Sequence, residues 1–367
     1  MSINRDFADL ARSSQPGANM LINGSMAVAQ RGTLTGQGGA DFYTTCDRWK
    51  LDDTAGAQAR YTTSQGTSGG VSGKEPWLSI NVTTAEAAEA AGEKNGWNQF
   101  VEGNNTRAIV NSSGQIKATS FSFDVKFAKG GGSSLSTPYT MCVGVYAGDV
   151  DYMWVEEISI TADDTWEHKS FAIDALAQAA SAIDTSQGYR IQFMMLAGSN
   201  YTDGSTGWNS GGAGKPATTN QDNLADATGN ILGITNVQWE VGDVATDFAH
   251  EDYGTTLNKC LRYFEKQNFV TNTFGAVGFS NTTTSHQMVL QFTEKRETGP
   301  TIAVSTASQW EVNRSGTDQT CTALTGESAS KVGMTLLATV SSGLTAGEAA
   351  VIRSNDAGNY ITISSEL

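Results

Sequence analysis

This 367-residue chain has few basic residues and no closely spaced cysteines, and each shortage argues against a class of protein. Lys and Arg number 23 against 38 Asp and Glu, for a net charge of -15. Nucleic acids and anionic membranes attract clustered cations, so the sequence predicts no nucleic-acid binding and no membrane insertion. The four cysteines lack CxxC spacing, which argues against a zinc site or a disulfide framework.

Catalytic motifs are missing as well. The three histidines, at 168, 250 and 286, form no HxH or HxxxH pair. A formal G-x-S-x-G at 66–70 lies in a Gly/Ser/Thr stretch without the strand-turn-helix context that a nucleophile needs. The stretch 211–216, GGAGKP, departs from a phosphate-binding loop because Pro216 replaces the Ser or Thr that holds magnesium. We therefore predict a protein that is not an enzyme and has no cofactor.

The N-terminal stretch predicts a short helical arm over residues 1–19. Ile3, Phe7 and Leu10 recur at helical spacing, and SSQPG at 13–17 ends the pattern. A helix this short is marginal alone, so its apolar stripe should meet the chain's own body, other copies or a larger assembly. The arm lacks a secretory h-region, so we expect synthesis in a cytoplasm without export by the secretory route.

Abundant glycine and alternating apolar residues predict an all-β fold. The chain has 40 glycines and only five prolines, which favours many tight turns. Period-two alternation is clear at 121–127, and further strand-like runs follow at 141–146, 155–161, 167–173, 189–196 and 234–241. Short strands separated by glycine-rich turns indicate a jelly-roll-like antiparallel β-sandwich over residues 20–250.

A dense stretch, GITNVQWEVGDVATDFAHEDYGTTLNKCLRYFEK at 233–266, predicts the joint between two domains. A buried strand should be followed by a helix from Tyr253 to Lys266, with Asp252 as N-cap. The helix would form a linker over 251–268. Strand-like runs beyond it predict a smaller C-terminal β-sandwich over 269–367.

Aromatic residues in or beside glycine-rich loops predict a saccharide site. Exposed rings stack on the apolar faces of sugars, while Asp and Asn bond the hydroxyls. The candidates are Trp97, Tyr201, Asp203, Trp208 and Asn209. The competing interpretation is that the rings fill the core or plug a loop.

Loop carboxylates raise two further hypotheses. Asp149 and Asp151 are calcium candidates, because calcium takes several oxygen ligands from flexible loops; ordinary solvated charge is the alternative. Glycan hydrolysis needs two carboxylates in one cleft. Glu156 and Glu157 point to opposite faces of a strand, so the sequence places no such pair.

Several motifs in order resemble a family of bacteriophage tail-fibre and virion structural proteins. They are NMLINGSMAVAQRGT (19–33), TTCDRWKL (44–51), ITNVQWEVGDVATDF (234–248), NKCLRYFEK (258–266) and TISSEL (362–367). This chain departs from the family pattern at Trp239, where Leu is usual, at Asp247, where Pro is usual, and at 294–296. These departures concern packing and turn stiffness.

The resemblance implies a virion protein that is assembled in bacterial cytoplasm and displayed on the phage particle. We expect a tail fibre or receptor-binding protein that attaches to host-surface saccharide without catalysis. A capsid decoration or head-fibre protein is the alternative, and a glycan depolymerase is a weaker one. Expected partners are copies of itself in a homotrimer, other virion proteins and the host glycan.

Overall fold

The computed structural model describes residues 19–54, 56–131, 138–314 and 316–367, and the regular secondary structure of these ranges is almost entirely β. The chain divides into two compact units, residues up to 256 together with Leu367, and Leu257–Glu366. The predicted all-β fold is confirmed, and the division falls inside the predicted linker. The predicted arm, with Ile3, Phe7 and Leu10, lies outside the described residues.

Fifteen strands are described in the first unit. Their bounds are β1 (Leu34–Gln37), β2 (Phe42–Tyr43), β3 (Trp49–Asp53), β4 (Arg60–Gly66), β5 (Trp77–Thr84), β6 (Lys94–Glu102), β7 (Gln115–Ile116), β8 (Thr119–Ala128), β9 (Tyr139–Ala147), β10 (Tyr152–Ile160), β11 (Glu167–Ile173), β12 (Leu176–Ala179), β13 (Gln187–Ala197), β14 (Gly207–Ser210) and β15 (Ile231–Val241). Short 3-10 turns occupy Gly103–Ile109, Gly148–Val150 and Gly212–Gly214.

Two antiparallel sheets form the sandwich of this unit. One has the order β1-β4-β5-β15-β8-β11, the other β14-β10-β9-β13-β6-β3-β2, and β7 pairs with β12. The alternation in β8 turns Phe121 and Phe123 inward, where both are fully buried. Phe123 meets Phe193 of the opposite sheet edge-on, with ring centroids 5.0 Å apart. The two sheets therefore share one apolar core, as the sandwich prediction required.

The strand of the predicted joint is β15, which lies between β5 and β8. Val237 and Trp239 are buried, and the Trp239 indole Nε1 donates to Thr119 Oγ1 at 3.0 Å. Asn236 adopts a positive φ of 50° where the pairing with β8 shifts register. The predicted strand is confirmed, and it is an interior strand of the sandwich.

The second unit contains nine described strands. They are β16 (Phe264–Phe269), β17 (Phe274–Ser280), β18 (Ser285–Gln291), β19 (Thr301–Val304), β20 (Trp310–Arg314), β21 (Thr317–Glu327), β22 (Gly333–Val340), β23 (Ala349–Ser354) and β24 (Asn359–Ser364), with a 3-10 turn at Ala307–Gln309. Six of them close a barrel in the order β17-β18-β22-β21-β20-β23, and β16-β24-β19 form a separate sheet. Where a second sandwich was predicted, the pairing of β17 with β23 closes a barrel instead.

One α-helix is described, α1 (Tyr253–Leu261), and it is shorter than predicted. Its N-cap is Asp252, whose Oδ1 accepts a hydrogen bond from the Thr255 amide at 3.0 Å, as predicted. The predicted extension to Lys266 is wrong, because Phe264 already pairs with Ser364 as the first residue of β16. Backbone pairing with β24 outweighs the helical spacing of the apolar residues. No helix in the described ranges is long and apolar enough to span a membrane.

Candidate functional site

The seven-stranded sheet carries a row of polar residues on the face turned away from the core. Strand residues alternate between the two faces, so Trp97 and Ile191 point inward while their neighbours point outward. Gln192 of β13 pairs with Asn98 of β6. On its other side Gln192 pairs with Gly144 of β9. Three adjacent strands thus present two side-chain amides side by side.

Neither of these amides is satisfied by the protein. Asn98 and Gln192 are completely buried, yet the amide nitrogen and oxygen of both have no hydrogen-bond partner. Gly96 makes room for one of them, because a Cβ there would lie 2.4 Å from Gln192 Nε2. A buried polar group without a partner costs about 1–3 kcal/mol, so we expect a group from outside the chain, an ordered water or a ligand, to complete these two.

Three charged residues adjoin the amides, and we call all five the amide cluster: Asp52, Lys94, Asn98, Arg190 and Gln192. Asp52 Oδ2 accepts from Lys94 Nζ at 2.9 Å and from Arg190 Nη1 at 3.2 Å. The Arg190 Nε atom is buried without a partner. Burial favours a raised pKa of Asp52, but the nearby Lys94 and Arg190 charges outweigh it and lower that pKa. Asn98 faces the same carboxylate without a hydrogen bond of normal geometry.

Two tyrosines flank the amide cluster. The Arg190 guanidinium carbon lies 4.9 Å from the centre of the Tyr146 ring, and Lys94 Nζ lies 5.3 Å from that of Tyr201. Both rings are partly exposed and pack against a small buried apolar group that includes Met194. The site therefore combines hydrogen-bonding atoms with aromatic surface, which is the chemistry that sugar recognition requires.

The ion pairs of Asp52 give a pH-dependent prediction. Asp52→Asn should lower the free energy of unfolding by about 1–2 kcal/mol at pH 7, because the buried Lys94 and the partly buried Arg190 then lose their counter-charge. The pKa of Asp52 is lowered in the folded protein, so this contribution is present above its ordinary value of about 3.9 and is lost as pH falls through the folded value.

Denaturant unfolding of the wild type and of Asp52→Asn at pH 7 and at pH 3 measures this difference. The gap between the two proteins should shrink in acid. Asp203→Asn, at an exposed position, is the matched control and should change stability at neither pH. An equal loss for Asp52→Asn at both pH values would mean that packing, and not charge, explains it.

The aromatic pair predicted in the 200–216 loop is not brought together. Tyr201 lies at the amide cluster, but Trp208 of β14 packs on the sandwich core. Its ring lies edge-on to Trp154 with centroids 5.7 Å apart, and its Nε1 donates to the Asp174 carbonyl at 2.8 Å. Trp208 thus follows the competing interpretation, in which the ring has a structural role.

Two other residues that were predicted to contact saccharide, Asn209 and Trp97, instead make contacts within the protein. The Asn209 side chain closes its own loop, accepting from the Ser205 amide at 3.0 Å and donating to the Ser205 carbonyl at 2.7 Å. Trp97 has no exposed surface and packs edge-on against Tyr61, so the prediction that it contacts sugar is wrong. Asp203 is exposed in the loop, and its predicted role stays a prediction.

The calcium candidates hold loop backbone in place. Asp149 Oδ2 accepts from the Ala182 amide at 3.0 Å, and Asp151 Oδ1 accepts from the Ala213 amide at 2.9 Å. Within the described ranges, no group of three or more His, Cys, Asp or Glu side chains is arranged to hold a metal ion. Both carboxylates therefore have a role in loop structure, and calcium binding stays a prediction.

Asn98, Arg190 and Gln192 were missed by the sequence analysis. Each lies within a strand, whereas the predicted candidates are residues in or beside loops. For Gln192 the available signal was an amide in a mostly apolar strand, between Ile191 and Phe193. Asn98 follows Trp97 in a strand that is rich in polar residues, so its sequence gives a weaker signal. Alternation alone could have placed these amides on the face opposite to the core.

Comparison with known proteins leaves the family unassigned. No family model matches, and no curated protein matches. Among solved structures, a CBM4 module is 13% identical over 60% of this chain and 98% of its own, with a TM-score of 0.30. The CBM22-1 xylan-binding domain of Xyn10C from Paenibacillus barcinonensis is 16% identical over 63% and 99%, with a TM-score of 0.27. TmCBM61, solved with β-1,4-galactotriose, is 10% identical over 53% and 88%, with a TM-score of 0.25. These values are too low to place the chain in any of these families.

Proposed function

We propose that this protein is a bacteriophage virion structural protein, a tail fibre or receptor-binding protein that attaches to host-surface saccharide through the amide cluster. The single observation that carries saccharide binding is the pair of unpartnered amides, Asn98 and Gln192, which have no exposed surface here and which a sugar would reach once the side chains beside them move aside. The virion role is supported by the order of the motifs from residue 19 to residue 367. Other virion proteins and further copies of the chain are the proposed partners.

The chemistry of the amide cluster suits sugar hydroxyls. Each amide offers donors through its nitrogen and an acceptor through its oxygen, and a hydroxyl group can serve as either partner. Arg190 Nε adds one further donor without a partner. Tyr201 and Tyr146 supply partly exposed rings on which the apolar face of a sugar can pack.

The same cluster supports binding without catalysis. Glycoside hydrolysis uses two carboxyl groups, one on each side of the scissile bond. Among the five residues of the amide cluster Asp52 is the only carboxylate, and two cations engage it. We therefore propose a site that holds a glycan and leaves it intact.

Two observations on the full-length protein test the proposed function. A glycan array should show selective binding to bacterial surface saccharides, and labelled protein imaged on intact virions should locate to the tail. Binding to no glycan would contradict the saccharide proposal. Location on the capsid with no effect on host adsorption would favour a decoration or head-fibre role instead.

Tyr201 and Trp208 give contrasting predictions because they pack in different places. Tyr201→Ala should weaken saccharide binding by about 1 kcal/mol, since one aromatic contact is lost, and should change the melting temperature little. Trp208→Ala should lower the melting temperature and leave the affinity of each folded molecule unchanged. Calorimetric titration and thermal unfolding of both variants separate the two outcomes. If Trp208→Ala lost saccharide affinity and kept its stability, the saccharide site would lie in the 200–216 loop and not at the amide cluster.

A further inference from the structure

The barrel of the second unit exposes large apolar side chains on one side of its outer surface. Phe274, Val277 and Phe279 of β17 and Val289 of β18 each expose more than half of their surface, at 60, 67, 53 and 64%. Val277 pairs with Val351 of β23, and Val277 and Val289 line the same depression. We call these side chains, together with the partly exposed Leu337 of β22, the apolar face.

The apolar face surrounds a shallow depression. It has a volume of about 300 Å³ and is lined by Val277, Phe279 and Val289, with Met288 and the backbone of Gly278 between them. A side chain at Gly278 would meet the Gln287 carbonyl at 1.8 Å, so the two strands run close together there. A bulky apolar group from a partner would fit the depression.

Charged side chains border the apolar face at one end, where Arg353 is the cross-strand neighbour of Phe274. Arg353 pairs with Glu311 and Asp318, and Arg314 pairs with Glu348. The outward residues that adjoin Val277 and Val289 within the apolar face are uncharged, namely Gln287, Thr335, Leu337, Ala349 and Val351. At the centre of the apolar face a partner therefore meets shape and apolar area.

A second copy of the same chain fits this distribution. Because the net charge of the chain is -15, two copies repel each other wherever their acidic surfaces approach. The residues of the apolar face include no carboxylate, so two copies that meet through this face avoid that repulsion between face residues. The four most exposed side chains offer about 400 Å² of apolar surface per copy, a patch of the size that marks interaction sites. Two copies with their half-exposed rims therefore approach the roughly 1,000 Å² that a specific interface buries.

We infer that the apolar face of the barrel is a self-association surface that joins copies of this chain. The inference does not rest on the amide cluster, which lies in the other unit. It also differs from assembly through the N-terminal arm, because it places the contact in the second unit.

Size-exclusion chromatography with light scattering on the full-length chain tests this inference. The wild type should have a multiple of the monomer mass at micromolar concentration. Val277→Asp should raise the concentration needed for half-assembly by about 10- to 100-fold, because like charges then meet at the contact. Val244→Asp is the matched control: Val244 is 74% exposed in the first unit, and this variant should assemble as the wild type does.

Circular dichroism confirms folding before the masses are compared, and Val289→Lys serves as a second variant if Val277→Asp does not fold. Three results would overturn the inference: a monomeric wild type, wild-type assembly of folded Val277→Asp or Val289→Lys, or an equal loss of assembly in Val244→Asp. Assembly that survives both face variants would assign the contact to another surface.

Discussion

Trp97→Ala is expected to lower the free energy of unfolding by about 3–5 kcal/mol, the usual cost of truncating a large core aromatic. Trp97 has no exposed surface. It packs edge-on against Tyr61 at 5.2 Å and Phe42 at 6.3 Å between ring centroids, so alanine would leave a cavity between the sheets. Denaturant unfolding measures the loss, and saccharide affinity per folded molecule should be unchanged.

Trp97→Phe is the control for this prediction. The indole Nε1 has no hydrogen-bond partner, so the substitution by phenylalanine removes some buried side-chain volume but breaks no hydrogen bond. It should cost about 1 kcal/mol, well below the alanine variant. If Trp97→Ala kept its stability and lost saccharide binding, the ring would be a ligand contact and its buried position would be wrong.

Gln192→Met is expected to weaken saccharide binding by about 10- to 100-fold, the value of one or two lost hydrogen bonds. The same variant should raise the free energy of unfolding by about 1–2 kcal/mol, because it removes two buried polar atoms that have no partner. Methionine has a similar shape and tolerates irregular surroundings, so strain should be small. Function and stability should therefore move in opposite directions, as at many binding sites.

Calorimetric titration and denaturant unfolding of Gln192→Met measure both changes. Gln58→Met makes the same substitution at an exposed loop position and should alter neither quantity. A variant that loses stability and keeps its affinity would show that Gln192 has a structural role.

The sandwich could be predicted because its strands follow simple alternation. Phe121 and Phe123 point inward between Ser122 and Asp124, so the pattern alone identifies β8. The helix end could not be predicted in this way. Phe264 continues a helical spacing from Leu261, and only its pairing with Ser364, a hundred residues away, shows that it begins a strand. Barrel closure depends on a similarly distant pairing, Val277 with Val351.

The candidate site was predicted only in part, at Tyr201. Trp97 was placed in or beside a glycine-rich loop, although it belongs to β6 and faces the core. The amide cluster joins residues from β3, β6 and β13, and such a site exists only once strand order and register are known. No local pattern in the sequence contains that information.

A crystal structure of the full-length protein with the saccharide selected on the glycan array tests the central claim most directly. The account predicts that the side chains beside the amide cluster move aside, so that sugar hydroxyls lie within about 3 Å of the Asn98 and Gln192 amides, with a sugar face against Tyr201 or Tyr146. A saccharide bound elsewhere on the chain, with both amides still unpartnered, would contradict it.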